Sequence, residues 1–544
     1  MKIIVPMAGA GWRFRKAGYA DAKPLVPVDG RPMAGHVRDL FPGERDFLFI
    51  VNAEHAERTG LLNVLEEAAP GSKVAAIPPH REGPVYSVSR VFDAVPDDEE
   101  VIVNYCDFSK AWSYQDFLRH TRGRGADGAV AAYKGFHPHM LAEPNYAFIR
   151  HERQWLLEIR EKHPFTSCRM SEFASDGTYY FRTGALMKKY FSRLMERGIR
   201  TEGEYYVSMV YNLMLEDGLR VSVYEIEAML QWGTPRDLSE YRRWSDYFRR
   251  AAGPGPDPRA QGGILLMPMA GEGRRFREAG YAAPKPLIEV NGTPMFVAAL
   301  RSLPRAEKAV FVASSKTLEM GADLAIRSER PDAAVKGLAG PTGGEALTCR
   351  EGLAQADPDA AVLIAPCDAG VLWDYEEYRR LMDDPSVDLV VWTAAGHEPA
   401  ARRPEMFGWV KADPGGRVTE VAVKRPLSAE PIRDRVILGL FTFKKIRRFL
   451  EALKALEARA GAVNGEYHVD SCAGEALAAG LRVHAFDVEG FACWGTPEEL
   501  RTYQYWQKFF HRCARHPYDL AKHQGLERAG ALAASFEGFR QGFE

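Results

Sequence analysis

Residues Pro6–Met33 read PMAGAGWRFRKAGYADAKPLVPVDGRPM, and residues Pro268–Met295 read PMAGEGRRFREAGYAAPKPLIEVNGTPM. The two stretches align without a gap, and 19 of 28 positions are identical. The echo continues downstream. Cys106-Asp107 returns as Cys367-Asp368, Lys162 as Lys424, Glu204-Tyr205 as Glu466-Tyr467, and Gly233-Thr234-Pro235 as Gly495-Thr496-Pro497, always 261 or 262 residues later. Such a register is the mark of a tandem duplication. Solenoid repeats run about 20–50 residues, so a period this long means two whole domains.

The bulk properties agree. A single core rarely serves more than about 250–300 residues, and the chain has 544. The expected division is a first domain over 1–250, a linker over 251–262, a second domain over 263–515 and a tail over 516–544. The linker follows from Ala252-Gly253-Pro254-Gly255-Pro256-Asp257-Pro258, too dense in Pro and Gly for helix or strand. The tail, with the small residues Ala529–Ser535, reads as helical or frayed. A net charge of −2 predicts neither a nucleic-acid nor a membrane partner. Arg242-Arg243 and Arg249-Arg250 read as solvated helix faces. Seven scattered cysteines without CxxC spacing point to a reducing compartment. The opening MKIIVPMAG lacks the basic start and long apolar run of a signal peptide, and no stretch approaches the ~20 apolar residues of a membrane span. The expected location is the cytoplasm.

Within each half, short apolar runs alternate with helical stretches. Lys2–Val5, Asp46–Val51 and Glu99–Asn104 read as strands, as do Ile264–Met267, Ala309–Val312 and Ala360–Ala365. Ala53–Ala69 and Gly344–Ala356 read as helices. This alternation implies an α/β domain with a mostly parallel sheet, whose ligands bind beyond the carboxyl ends of the strands. The Gly-rich loop and the Cys-Asp pair both stand at such ends.

The candidate chemistry follows from those positions. Gly9 and Gly11, with Gly271 and Gly273 in the second copy, form either a tight turn or a nest of backbone N–H groups suited to phosphate. The loop is not a dinucleotide fingerprint, because no third glycine follows at the required spacing. Arg13 and Arg275 add a fork of donors. Lys23 and Lys285, each in a Lys-Pro-Leu loop, are either solvated or bring charge to the same phosphates. Asp107 and Asp368 end apolar strands, as Mg²⁺ ligands or as helix N-caps. His137 and His139 read as surface residues. Cys106 and Cys367 read as packing residues, having no His partner to activate a thiolate. Trp232 and Trp494 read as core or pocket wall.

The ordered set G-x-G-x-R, K-P-L, strand-end C-D, a Lys after a short strand, and G-T-P-x-x-L resembles the sugar-phosphate nucleotidyltransferases, the nucleotide-sugar pyrophosphorylases. The nearest flavour is the bacterial branch associated with capsule and other surface glycans, similar at Ala17-Gly18-Tyr19, Glu204-Tyr205-Tyr206-Val207 and Trp232-Gly233-Thr234-Pro235. The resemblance covers about 1–245 and 264–512. It implies two tandem Rossmann-like domains, similar to GT-A glycosyltransferases, with mixed central sheets. It also implies a reaction in which an NTP and a phosphorylated sugar or small alcohol give an activated product and pyrophosphate. On this resemblance Gly9, Gly11, Arg13 and Lys23 would hold the triphosphate. Gly83, and Gly343 and Gly344 in the second copy, would contact the base. Asp107 and Asp368 would bind Mg²⁺, and Lys162 and Lys424 the acceptor phosphate.

Each copy departs from the pattern in its own place. Gln231 and Cys493 stand where many relatives have an Asp or Asn ligand. Ala22 replaces a proline kept as Pro284, and Val423 replaces Glu161. Three readings follow: a tandem nucleotidyltransferase, a pair of domains of which one or both only bind or regulate, and a GT-A-like glycosyltransferase. The third lacks the Asp-x-Asp motif of that class at Asp107-Phe108-Ser109 and Asp368-Ala369-Gly370.

Overall fold

A computed structural model describes residues 1–253, 261–513, 515–526 and 529–536. Most of the expected linker (254–260) and parts of the expected tail (527–528 and 537–544) lie outside the described residues. Those described form two compact units, Met1–Arg242 and Arg243–Phe536.

The first unit is built on nine strands: β1 Lys2–Met7, β2 Phe47–Asn52, β3 Lys73–Ile77, β4 Val101–Asn104, β5 Gly128–Tyr133, β6 Ala147–Glu152, β7 Trp155–Glu161, β8 Phe173–Phe181 and β9 Val221–Glu225. Their order is β3-β2-β1-β4-β8-β5-β9-β7-β6, with a further β8–β6 pairing. The β3-β2-β1-β4 core is parallel, and β8 runs antiparallel to β4 and β5. The sheet is therefore mixed. Successive side chains of a strand point to opposite faces, and this sequence fills both. Ile4, Leu48 and Val103 pack on one face against Val85 and Val88 of helix Pro84–Ser89 and Val207 and Val210 of helix Val207–Glu216. Ile3, Phe49 and Ile102 pack on the other with Leu61 and Leu65 of helix Leu61–Ala68 and Phe117 of helix Tyr114–Gly123. Two covered faces explain strands that read as unbroken apolar runs.

The helix expected over Ala53–Ala69 is split. Ala53–Arg58 is capped by the Asn52 side chain, which accepts from the Glu54 N–H; Thr59 turns extended, and a second helix starts at Leu61. Thr and Gly are weak helix formers, and their pairing at 59–60 breaks the helix.

The second unit repeats the plan. Its strands are β10 Gln261–Met269, β11 Ala306–Ser314, β12 Ala334–Leu338, β13 Val362–Ile364, β14 Leu389–Ala394, β15 Gly408–Ala412, β16 Val418–Val423, β17 Arg435–Phe443 and β18 Val483–Asp487. The order β12-β11-β10-β13-β17-β14-β18 matches the first unit strand for strand, and β15 pairs with β16 and β17. The unit begins at Arg243, within the helix Pro235–Ala251. Its Trp244 and Tyr247 meet Tyr503 edge to face and its Phe248 meets Tyr503 at a tilt, and Phe248 also meets Phe510 and Tyr518. Among the described residues, no helix is long and apolar enough to cross a membrane.

Candidate active site

The Gly-rich loop leaves the carboxyl end of β1 and opens into the short helix Trp12–Lys16. Gly11 adopts φ +62°, and a Cβ there would meet the Lys23 Cβ at 3.3 Å; Gly273 repeats both features, with φ +59° and 2.9 Å to Lys285. Glycine is needed here for its left-handed backbone and for the close approach of the lysine loop. Gly9 is different, since a Cβ there would meet nothing within 4 Å. It borders open space in the cleft.

Lys23 starts the 3₁₀ turn Lys23–Leu25, and its Nζ donates to Asp107 Oδ2 at 2.5 Å. Lys285 and Asp368 form the same ion pair. Burial opposes the charge on Lys285, but the Asp368 carboxylate beside it carries its pKa above the ordinary lysine value. Asp107 follows β4 and is itself followed by the strand Phe108–Ala111, which pairs with Ala228–Gln231. The N-cap alternative is thereby excluded, because Ser113 caps the next helix. At Asp368 likewise a strand, Ala369–Leu372, follows, and Asp374 is the cap. The ribbon register pairs Phe108 with Gln231, and a Cβ on Gly233 would meet Asp107 Oδ2 and Gln231 Nε2, each at 2.9 Å. The strand-end carboxylate and the Gln231 amide are therefore neighbours. In the second unit the equivalent glycine, Gly495, faces Asp368 Oδ2, Cys493 Sγ and Glu499 Oε2.

Gly83 has φ +89°, and a Cβ there would lie 2.7 Å from the Tyr205 backbone nitrogen. The Tyr205 N–H donates to Glu82 O and the Val85 N–H to Tyr205 O. Gly344 holds the same place, with the Tyr467 N–H donating to Gly343 O. Gly343 thus corresponds to Glu82, and Gly344 is the counterpart of Gly83. Lys162 closes β7 with φ +61° and Lys424 follows β16 with φ +57°. Left-handed, non-glycine residues are uncommon and concentrate at functional sites. The Lys162 Nζ pairs with Glu202, and the Lys424 Nζ donates to Met406 O.

In the first unit these parts converge. A cleft of about 450 Å³ is lined by Gly9, Gly11, Arg13, Lys23, Asp107 and Lys162. An adjoining hollow of about 230 Å³ is lined by Gly9, Gly11, Lys23, Gly83 and Asp107. Six of the seven first-copy positions singled out by sequence line the cleft, and the seventh, Gly83, lines the adjoining hollow with Gly9, Gly11, Lys23 and Asp107.

Sequence reasoning missed several residues. Glu161 also lines the cleft; burial pushes its carboxyl up to about 7, with Ser208 Oγ donating to it at 2.5 Å. Trp12 is 62% exposed at the cleft wall, with the Arg81 guanidinium 5.6 Å from its ring centre. Beneath the floor, Lys110 Nζ donates to Asp176 at 2.8 Å and to Thr178 Oγ1 at 2.6 Å, and Thr178 donates to Asn104. Both charges of that pair are fully buried. A partner 66 residues away leaves no local sequence signal. The His137 and His139 expectation is corrected: both are buried among Tyr133 and Tyr146, and burial pulls His137 down to about 4. Burial also pushes the Cys106 and Cys367 thiols up to about 12, so neither forms a thiolate near neutrality. Trp232 and Trp494 are buried, as expected.

The family model of the MobA-like NTP transferase domain matches residues 3–166 and, a second time, 265–464. No curated protein matches the chain. Among solved structures, the chain is similar to the nucleoside-diphosphate-sugar pyrophosphorylase from Vibrio cholerae RC9, at 20% identity over 44% of this chain and 99% of that one, with a TM-score of 0.38. It is similar also to the inositol-1-phosphate CTP transferase from T. maritima, at 14% identity over 43% of this chain and 90% of that one, with a TM-score of 0.34.

Proposed function

The chain belongs to the family of MobA-like NTP transferase domains, matched in both halves, and from that premise we propose that it transfers a nucleoside monophosphate from an NTP to a phosphorylated sugar or small phosphorylated alcohol, releasing pyrophosphate. The observation that carries this reading is the convergence of Arg13, Lys23, Asp107 and Lys162 on one cleft beside the Gly9–Gly11 loop.

An acceptor phosphate oxygen attacks the α-phosphorus in line. The new P–O bond forms as the bond to the β-phosphate bridge breaks, and pyrophosphate leaves with that electron pair. The attacking oxygen is already ionised, so no general base is needed, and the protonated thiol of Cys106 is no loss. The work left to the protein is holding two polyanions together. Two unit charges at 4 Å interact by about 4 kcal/mol at an effective dielectric of 20. Arg13 and Lys23 at the loop, and Lys162 across the cleft, supply the opposing charge, preorganised before the substrates meet.

The residues also fit Mg²⁺. Asp107 offers a carboxylate and Gln231 an amide oxygen, and Mg²⁺ commonly takes one or two protein carboxylates and completes its shell with water and substrate phosphate. Bound there, the ion would neutralise phosphate charge. In the second unit Asp368 stands beside Cys493, whose thiol burial holds well above its ordinary pKa and hence neutral. A neutral thiol is a poor Mg²⁺ ligand. An ion held there would rest on Asp368, water and substrate phosphate, without help from position 493.

The test is pyrophosphate release with Mg²⁺, each common NTP and a panel of phosphorylated acceptors. Wild type, Asp107→Ala, Asp368→Ala and the double variant run side by side. Release should disappear in the double variant. Release that survives it would remove both aspartates from the reaction.

A further inference from the structure

The charged machinery is kept in both units, whereas the wall that faces the acceptor is not. The strand registers set the equivalences. Glu161 pairs with Ala147, and Val423 pairs with Gly408 in the same ladder position. The Lys162 N–H donates to Tyr146 O, and the Lys424 N–H to Phe407 O. Ser175 and Tyr179 lie opposite Ala132 and Val130, and Ile437 and Phe441 lie opposite Thr393 and Val391.

Across those equivalences the first cleft's Asn145, Tyr146 and Glu161 become Met406, Phe407 and Val423. Its Tyr105, Ser175 and Tyr179 become Pro366, Ile437 and Phe441. Every one of these first-unit residues lines the cleft, and every replacement is hydrocarbon or thioether. The layer beneath changes with it. The buried set Asn104, Lys110, Asp176 and Thr178 is matched by Ala365, Val371, Leu438 and Leu440, all buried. The apolar wall still sits at the phosphate machinery: Arg275 lies 3.7 Å from Met406 Sδ, and Lys424 Nζ donates to Met406 O. Polarity returns on the helices opposite, where Asp470 replaces Ser208 and Glu345 replaces Pro84. Those carboxylates feel one another and the charge of Lys424.

We infer that the two sets of phosphate-binding residues take different acceptors: a polyhydroxylated phosphate in the first unit, and in the second a phosphorylated alcohol with a hydrocarbon body, its phosphate at Lys424. The inference rests on the nucleotidyl-transfer reading above. Hydroxyls pressed on Met406, Phe407 and Val423, which Ile437 and Phe441 back from the core, would lose their water partners and gain none. A hydrocarbon body against Asn145, Glu161 and Ser175 would displace water from their remaining polar positions and offer no partner in return, and sites built to hydrogen-bond a substrate reject analogues that lack the group.

The experiment uses the full chain as Asp107→Ala, which leaves the second unit's site, and as Asp368→Ala, which leaves the first. Pyrophosphate release is measured with Mg²⁺ and each NTP against hexose 1-phosphates, phosphorylated short alkanols and phosphorylated amino alcohols. The Asp107→Ala chain should show kcat/KM at least tenfold higher for the alcohol phosphates than for the hexose phosphates, and the Asp368→Ala chain the reverse. Adding Val423→Glu, Ile437→Ser and Phe441→Tyr to the Asp107→Ala chain should lower the KM for hexose phosphates and leave that for NTP unchanged. The same ranking in both chains overturns the inference, as does a second unit silent with every alcohol phosphate while the first works. A wild type silent with every pair sinks the transfer reading instead. Titration calorimetry with glucose 1-phosphate and ethanolamine phosphate then decides the inference alone: independent binding supports it, and competition for one site overturns it.

Discussion

Lys23 and Asp107 are 84 residues apart in the chain, and their side chains meet at 2.5 Å. Lys285 and Asp368, 83 residues apart, meet the same way. Both pairs join the loop after the first strand to the end of the fourth, so the ion pair is a fixture of the fold rather than an accident of one copy. The Lys23 and Asp107 side chains are each about a quarter exposed, so that pair contributes little to stability and its main weight falls on the chemistry.

Lys23→Ala in the Asp368→Ala background should lower kcat/KM by about 10²–10³-fold, the usual cost of losing one preorganised charge donor. The melting temperature should barely move. Steady-state kinetics with thermal unfolding checks both, and an unfolding shift that accounts for the lost activity would sink the assignment.

Gly9→Ala and Gly83→Ala should part company. Gly83 has φ +89° and backbone 2.7 Å from its would-be Cβ, so alanine there should cost at least about 1–3 kcal/mol of stability. Gly9 faces open space, so alanine there should leave stability within ~0.5 kcal/mol and raise the KM for NTP. Urea denaturation and kinetics on the two variants separate them.

Glu161 gives a pH signature. Its carboxyl is raised from 4.5 to about 7, first by burial. The folded chain therefore holds this proton more tightly than the unfolded chain. The stability gained is fully present below pH ~4.5, fades as pH rises toward 7 and is gone above it. At 1.36 kcal/mol per unit the change is at most roughly 3 kcal/mol. Glu161→Gln should flatten that part of the stability–pH curve; an unchanged curve in denaturation between pH 5 and 8 would rule this out.

Lys110 and Asp176 should fail singly and succeed together. Lys110→Val or Asp176→Leu leaves one buried charge without its partner, costing about 3–5 kcal/mol. The double variant reproduces Val371 and Leu438 and should lie near wild type or above it, since apolar replacement of buried ion pairs is often neutral or stabilising. A double-mutant cycle by urea denaturation reads the coupling directly. Additive losses would contradict it.

The duplicated glycines, lysines and aspartates were legible because each is local: a turn, a strand end, a lysine held by proline. What stayed hidden depends on partners distant in sequence. The N-cap alternative for Asp107 falls because the strand Phe108–Ala111 follows it, and that strand's pairing partner, Ala228–Gln231, lies more than 100 residues on. His137 and His139 look like loop polarity, yet they pack against Tyr133 at the end of β5 and Tyr146 just before β6. Glu161 and Lys110 take their altered acidity from burial, which only the folded sheet supplies. The break at Thr59-Gly60 was visible in propensity and was overridden by the apolar period around it.

The helix Pro235–Ala251 bears on how the chain can be dissected. Its Trp244, Tyr247 and Phe248 belong to the aromatic cluster around Tyr503, and Tyr247 lies against Gly370 and Gly490 of the ribbon that carries Asp368's neighbours. A cut in the Pro/Gly stretch after it, the obvious place by sequence, would strip those three rings from the second unit and leave them bare on the end of the first. The second unit thus starts at Arg243, ahead of the Pro/Gly stretch. A gene that lost the first half would not inherit a free-standing second one.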